Sequence, residues 1–137
     1  MTVILADEGS GFLAYEITGV ASAAAAGQGS IANPFGCTVN IVDAYLVTSV
    51  ISTGAANLSV GVTTAAASAS DIVTTLAVGG VTVDKTYNCL AAVAANTICV
   101  PAAWTSALFL TFTASATMVG YVGTLYLHIV RTTVANA

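Results

Sequence analysis

Cys37-Thr38-Val39-Asn40-Ile41-Val42-Asp43-Ala44-Tyr45-Leu46-Val47-Thr48-Ser49-Val50-Ile51 is the longest run of the chain dense in β-branched and aromatic residues. Branching at Cβ stiffens the side chain and favours extended backbone, where it packs on a pleated surface. Val39, Ile41, Tyr45 and Val47 fall on one face of such a strand, with Asp43 among them. Thr38, Asn40, Val42, Ala44, Leu46 and Thr48 fall on the other. Both faces are partly apolar, which predicts a strand covered on both sides. The turn signal Asn33-Pro34-Phe35-Gly36 precedes it. Ser52-Thr53-Gly54-Ala55-Ala56 follows, and Asn57 to Thr63 then alternates, with Leu58, Val60 and Val62 inward and Ser59, Gly61 and Thr63 outward. Two strands joined by a short glycine-containing loop predict a hairpin.

On the N-terminal side, Phe12 to Thr18 reads as a first strand, with Phe12, Ala14 and Glu16 opposite Leu13, Tyr15 and Ile17. Gly19 to Ser30 is mostly Ala, Gly and Ser. Its run Ala23 to Ala26 favours helix, but Gly27 and Gly29 stop it, so a loop or one helical turn is expected. On the C-terminal side, Thr64 to Ser70 is a small-residue loop. Asp71 to Leu76 reads as a short helix capped by Ser70 or Asp71, or as a strand, ended by Gly79-Gly80. Val81 to Val83, Tyr87 to Leu90 and Thr97 to Val100 read as short strands, the last closed by Pro101. Leu108 to Thr113 alternates strongly, Ser115 to Thr117 is a turn, and Tyr121 to Arg131 is the final strand. In that strand Leu125, Leu127 and Ile129 lie opposite Thr124, Tyr126, His128 and Val130. About seven or eight short strands with turns between them predict an all-β, antiparallel β-sandwich or jelly roll. Residues 12–131 would form that domain, with an N-terminal arm at 1–11 and a C-terminal tail at 132–137.

Charge narrows the function. Only Lys85 and Arg131 are basic in 137 residues, beside six acids and one histidine, and 6% of residues are charged. Globular proteins average about a quarter, and that charge keeps soluble monomers apart. A surface of Ser, Thr, Ala, Gly and Asn suits contact with other proteins. The net charge of −4 argues against nucleic acid, because phosphate binding draws on clustered Lys and Arg. Mean hydropathy is +0.93, yet the best apolar stretch, Tyr45 to Val62, is broken by Thr48, Ser49, Ser52, Thr53, Gly54, Asn57, Ser59 and Gly61. A spanning helix needs about 18 or more apolar residues, so none is expected, and no membrane partner. Met1-Thr2-Val3-Ile4-Leu5-Ala6-Asp7-Glu8 lacks a positive n-region and does not read as a secretory signal.

Candidate chemistry is sparse. Cys37, Cys89 and Cys99 form no CxxC pair; they read as buried small hydrophobes in a reducing cytoplasm, with a Cys89–Cys99 bridge as the alternative. A hydrolase needs a nucleophile beside a base, or a metal. The sole histidine, His128, reads as a surface or interface residue, and Asp7, Glu8, Glu16, Asp43, Asp71 and Asp84 are scattered. No catalytic, cofactor or metal residues are therefore expected. Asp43 would pair with backbone or Lys85, or face a neighbouring subunit. Trp104 and Phe35 are the candidate interface residues, with core or loop anchoring as the other reading of each.

Asn33-Pro34-Phe35-Gly36-Cys37-Thr38-Val39-Asn40-Ile41, continued by Asp43-Ala44-Tyr45-Leu46, resembles small virion proteins of tailed phages. So do Gly54-Ala55-Ala56-Asn57-Leu58-Ser59-Val60-Gly61-Val62 and the stretch Val119 to Val130, with its Gly123-Thr124-Leu125-Tyr126-Leu127-His128-Ile129-Val130. The similarity runs from about residue 31 to residue 130 and is to head decoration, or cement, proteins, which bind the outside of a capsid. It implies a β-sandwich or jelly roll, often clustered as homotrimers on the major capsid protein, with no cofactor and no site residues to carry over. The Ala-rich stretch Ala21 to Ala26 and the three cysteines depart from it. The expectation is a non-enzymatic virion protein, made in the host cytoplasm and placed on the outer capsid surface. Its rivals are a tail, fibre or small capsid subunit, and a carbohydrate- or host-binding module stacking sugars on Trp104, Tyr87 and Tyr121.

Overall fold

The computed structural model describes residues 2–5, 10–18, 27–64, 67, 69–89 and 102–132. Within them the chain forms ten strands: β1 (Thr2–Leu5), β2 (Ser10–Thr18), β3 (Gly27–Ala32), β4 (Val39–Val50), β5 (Asn57–Thr63), β6 (Val73–Ala77), β7 (Thr86–Asn88), β8 (Ala102–Trp104), β9 (Phe109–Ala114) and β10 (Val122–Arg131). They build two antiparallel sheets. One has the order β1-β2-β10-β4-β7, with β8 also paired to β4, and the other is β3-β9-β5-β6. The chain changes sheet between β2 and β3, β3 and β4, β4 and β5, β6 and β7, β8 and β9, and β9 and β10, so β2-β10-β4-β7 faces β3-β9-β5-β6 in jelly-roll fashion. The core between them draws Leu13 from β2, Ile41 and Leu46 from β4, Leu58 and Val60 from β5, Leu110 and Phe112 from β9, and Leu125, Leu127 and Ile129 from β10. Part of the stretch read as an arm is β1, antiparallel to β2 with Thr2 opposite Ala14 and Leu5 opposite Gly11.

Four expectations change. The segment Cys37 to Ile51 holds a single strand, β4, from Val39 to Val50, but its faces do not keep one phase. Val39 and Ile41 are buried, and then Ala44, Leu46 and Thr48 are, two parities that only an extra residue can join. Pairing with β10 slips there: His128 lies opposite Asp43, while Ile129 lies opposite Ile41. This β-bulge rotates Asp43 out of the core, where an unpaired carboxylate would cost several kcal/mol or more. Next, β4 and β5 are not a hairpin. β4 pairs with β10, β7 and β8, and β5 with β6 and β9, so residues 51–56 cross from one sheet to the other. The crossing is fixed by Ser52 N–H donating to Val78 O (3.2 Å) and Val78 N–H to Ala56 O (3.0 Å).

Third, Gly27 to Ser30, expected within a loop, belongs with Ile31 and Ala32 to the edge strand β3 along β9. Its Gly, Ser and Ala have little strand preference of their own, and the partner strand supplies the order. Fourth, Val81 to Val83 is a bend and turn rather than a strand, and Ala102 to Trp104, just past Pro101, is β8. Of the two readings of Asp71 to Leu76, the strand is correct, as β6. Asp71 caps no helix; its Oδ1 accepts from Val62 N–H at 3.0 Å and fastens the preceding loop to β5. The expected strand at Thr97 to Val100 lies outside the described residues.

Candidate interaction surface

The outer face of the six-stranded sheet is built by strand alternation. While Leu13, Ile17, Leu125, Leu127 and Ile129 turn inward, their neighbours turn out. The register sets six of those neighbours, with three residues of β4, in three rows across β2, β10 and β4. They are Phe12, His128 and Asp43; then Ala14, Tyr126 and Tyr45; then Glu16, Thr124 and Val47. No lysine or arginine falls among these nine positions. Phe12 (57%) and Tyr126 (43%) are among the most exposed large apolar residues described. The Phe12 ring stacks on the His128 imidazole, with centroids 4.7 Å apart and planes 19° from parallel. Asp43 accepts from Ala44 N–H at 3.0 Å and from the Tyr45 hydroxyl. That hydrogen bond and the nearby negative charge hold the Tyr45 phenol above its ordinary pKa, since ionising it would lose the bond and set two anions together. Aromatic area on a rigid sheet, edged by two carboxylates, can cover apolar protein surface and pair with bases there.

The residues singled out from sequence have separate fates. Trp104 is wholly buried and its indole N–H donates to Leu108 O at 3.0 Å, so it offers a partner no surface. Phe35 is half-buried and meets the Trp104 ring edge-on, with centroids 6.1 Å apart. Both are held by Asn33, whose side-chain amide donates to Trp104 O (2.6 Å) and Cys37 O (2.9 Å) while its oxygen accepts from Phe35 N–H (2.8 Å). The Asn33-Pro34-Phe35-Gly36 signal is therefore an anchor for β8. Asp43 uses a backbone partner, as one expectation had it, together with Tyr45. His128 has Phe12 and Asp43 as cross-strand neighbours.

Cys37 and Cys89 are free thiols, and Cys99 lies outside the described residues. Cys89 sits in the core, where burial pushes its thiol up to about 11. Among the described residues no three of His, Cys, Asp and Glu converge as a metal site. Of the proposed sugar-stacking residues, Tyr121 and Trp104 are wholly buried, and the Tyr87 hydroxyl is engaged as acceptor for Thr82 N–H at 2.7 Å. Among the described residues, two clefts indent the sandwich. One of about 210 Å³ lies where β2, β3 and β9 approach, lined by Tyr15, Ile17, Ile31, Phe112 and Met118. The other, about 370 Å³, lies between the 52–57 and 77–80 loops.

No family model, curated protein or solved structure matches the chain. The exposed Phe12 and Tyr126 and the half-buried Tyr45 were missing from the candidates read in sequence. The signal was there for two of them: Phe12 and Tyr126 stand on the polar side of their own alternations.

Proposed function

We propose that this chain is a non-enzymatic virion structural protein, a decoration protein that binds the outside of a tailed-phage head through the outer face of its six-stranded sheet. One observation carries this reading: an aromatic sheet face, with Asp43 and Glu16 but no lysine or arginine among its nine positions, on a chain that has only two such residues. Such a face disfavours DNA and favours a protein surface carrying its own Lys or Arg. The resemblance at residues 31–130 points the same way. The mechanism is mechanical. Each copy covers apolar surface on the major capsid protein, and many weak contacts on one shell add through multivalency. The rival glycan-binding reading loses two of its three stacking residues, with Trp104 and Tyr121 buried.

The test is co-sedimentation of the purified protein with expanded phage heads, beside the Tyr126→Asp variant. Saturable binding that falls at least about tenfold in the variant supports the proposal, since a charge in an apolar contact costs more than about 1.4 kcal/mol. Wild-type protein that stays in the supernatant, or a variant that binds equally well, overturns it. Retention on a glycan surface without heads would favour the rival.

A further inference from the structure

Four of the six exposed large apolar side chains described gather at one end of the sandwich: Val50 (48%), Ile51 (40%), Val83 (38%) and Val119 (49%). They come from the end of β4 with the residue after it, and from two turns distant in sequence but tied to that stretch of chain. Asp84 N–H donates to Thr48 O (2.9 Å), Ser52 N–H to Val78 O (3.2 Å), and Thr53 N–H to Val119 O (3.1 Å). Gly79 packs so closely on the neighbouring loop that a Cβ there would stand 3.0 Å from Gly54 O. The pole is therefore held in shape by backbone bonds before any partner arrives, which lowers the ordering cost of binding. Soluble chains keep apolar side chains at turn tips scattered; a cluster marks a contact.

We propose that this pole joins copies of the chain to one another. Charge selects the occupant. Asp84 and Lys85 are consecutive, both exposed, and Lys85 is one of only two bases in the chain. A second copy docked at the same pole can set its Lys85 against Asp84 and its valines against Val50 and Ile51, so the patch complements itself. The outer sheet face cannot do this, because two copies meeting there bring Asp43 and Glu16 together with no lysine or arginine among the opposed positions. A bilayer is the poorer occupant, since a single lysine gives little attraction to anionic lipid. This contact does not depend on the capsid-binding reading and is measured without heads.

The experiment is light scattering and sedimentation velocity on the full chain across a concentration series. Ile51→Asp, Val119→Asp and Lys85→Glu are compared with Ser106→Asp, an exposed turn residue outside this pole. Far-UV circular dichroism and thermal melts establish that each variant is folded. The expected result is an oligomer for wild type and Ser106→Asp, single copies for the two aspartate variants, and self-association weakened about tenfold by Lys85→Glu. Should Ile51→Asp fail to fold, Val119→Asp and Lys85→Glu carry the test. Wild type that stays single at every concentration overturns the proposal. So does an oligomer that survives all three pole variants, or wild type that remains single and floats with phosphatidylcholine vesicles.

Discussion

Tyr121 is wholly buried, and its hydroxyl shares a hydrogen bond with the buried Thr48 hydroxyl at 3.1 Å. Its ring occupies the space that a side chain at Gly123 would need, with the Tyr121 Cζ 2.8 Å from where that Cβ would sit. Gly123→Ala should therefore cost about 1–3 kcal/mol of stability, the usual range for overpacking, measured by chemical denaturation. Cys89 sets a pH dependence. Burial raises its folded pKa to about 11 from an ordinary 9.0, so the folded state holds the proton more tightly. Below pH 9 both states are protonated and the contribution is complete. Above it the unfolded chain releases its proton first, and stability falls by about 2 kcal/mol towards pH 11. Tyr15 and Tyr121, also raised by burial, steepen the fall at the alkaline end. Melting temperatures from pH 8 to 10.5 should decline, and Cys89→Ala should flatten the first part of that decline.

At the scale of elements, the junction of the 33–37 turn with β8 depends on Asn33. Its three hydrogen bonds reach Phe35 next door, Cys37 at the turn's end and Trp104 in β8. Gly36 completes the turn at φ 65°, a left-handed conformation that costs glycine little. Asn33→Ala leaves Trp104 O and Cys37 O without this donor, and equilibrium unfolding should register a loss of about 2–4 kcal/mol. Asn33→Asp keeps the acceptor for Phe35 but neither donor, so most of that loss should remain. The bulge in β4 acts at the same scale. By adding one residue between Ile41 and Ala44, it turns Asp43, Tyr45 and Val47 outward and sends Ala44, Leu46 and Thr48 to the core. The outer face owes its Tyr45 to that irregularity.

Across the whole molecule, the proposed contacts occupy different surfaces and rest on different forces. The sheet face offers Asp43 and Glu16 to a basic partner, so its binding should weaken as salt is raised from low to physiological strength and beyond. The pole is chiefly apolar, and each of the two exposed Asp84–Lys85 pairings between copies is worth about 1 kcal/mol at most. Its self-association should survive the same salt. Sedimentation of heads with bound protein, run in parallel with sedimentation of the protein alone over one salt series, separates the two. Head binding insensitive to salt would remove the carboxylates from the account of that face.

The fold class followed from local chemistry. β-Branched runs, two-residue alternation and Gly, Pro and Asn punctuation mark strands and turns without reference to anything distant. So the inward set of β2, β5 and β10 and the role of Asn33-Pro34-Phe35-Gly36 as a turn were readable from residues alone. Which strands pair was not. Residues 51–56 look the same whether they close a hairpin or cross between sheets, and only the bonds from Ser52 and Ala56 to distant Val78 decide it. The phase of β4 was hidden for a related reason: the bulge exists because Ile129 and His128 of β10 fix which residues oppose them. β3 draws its strand conformation from β9 rather than from its own glycines. The two candidate surfaces were hidden as well, because Phe12, Tyr126 and Tyr45 come from three strands, and Val50, Val83 and Val119 from a strand end and two turns. Sequence determines what each segment prefers, whereas pairing between strands far apart in the chain determines what those segments jointly present.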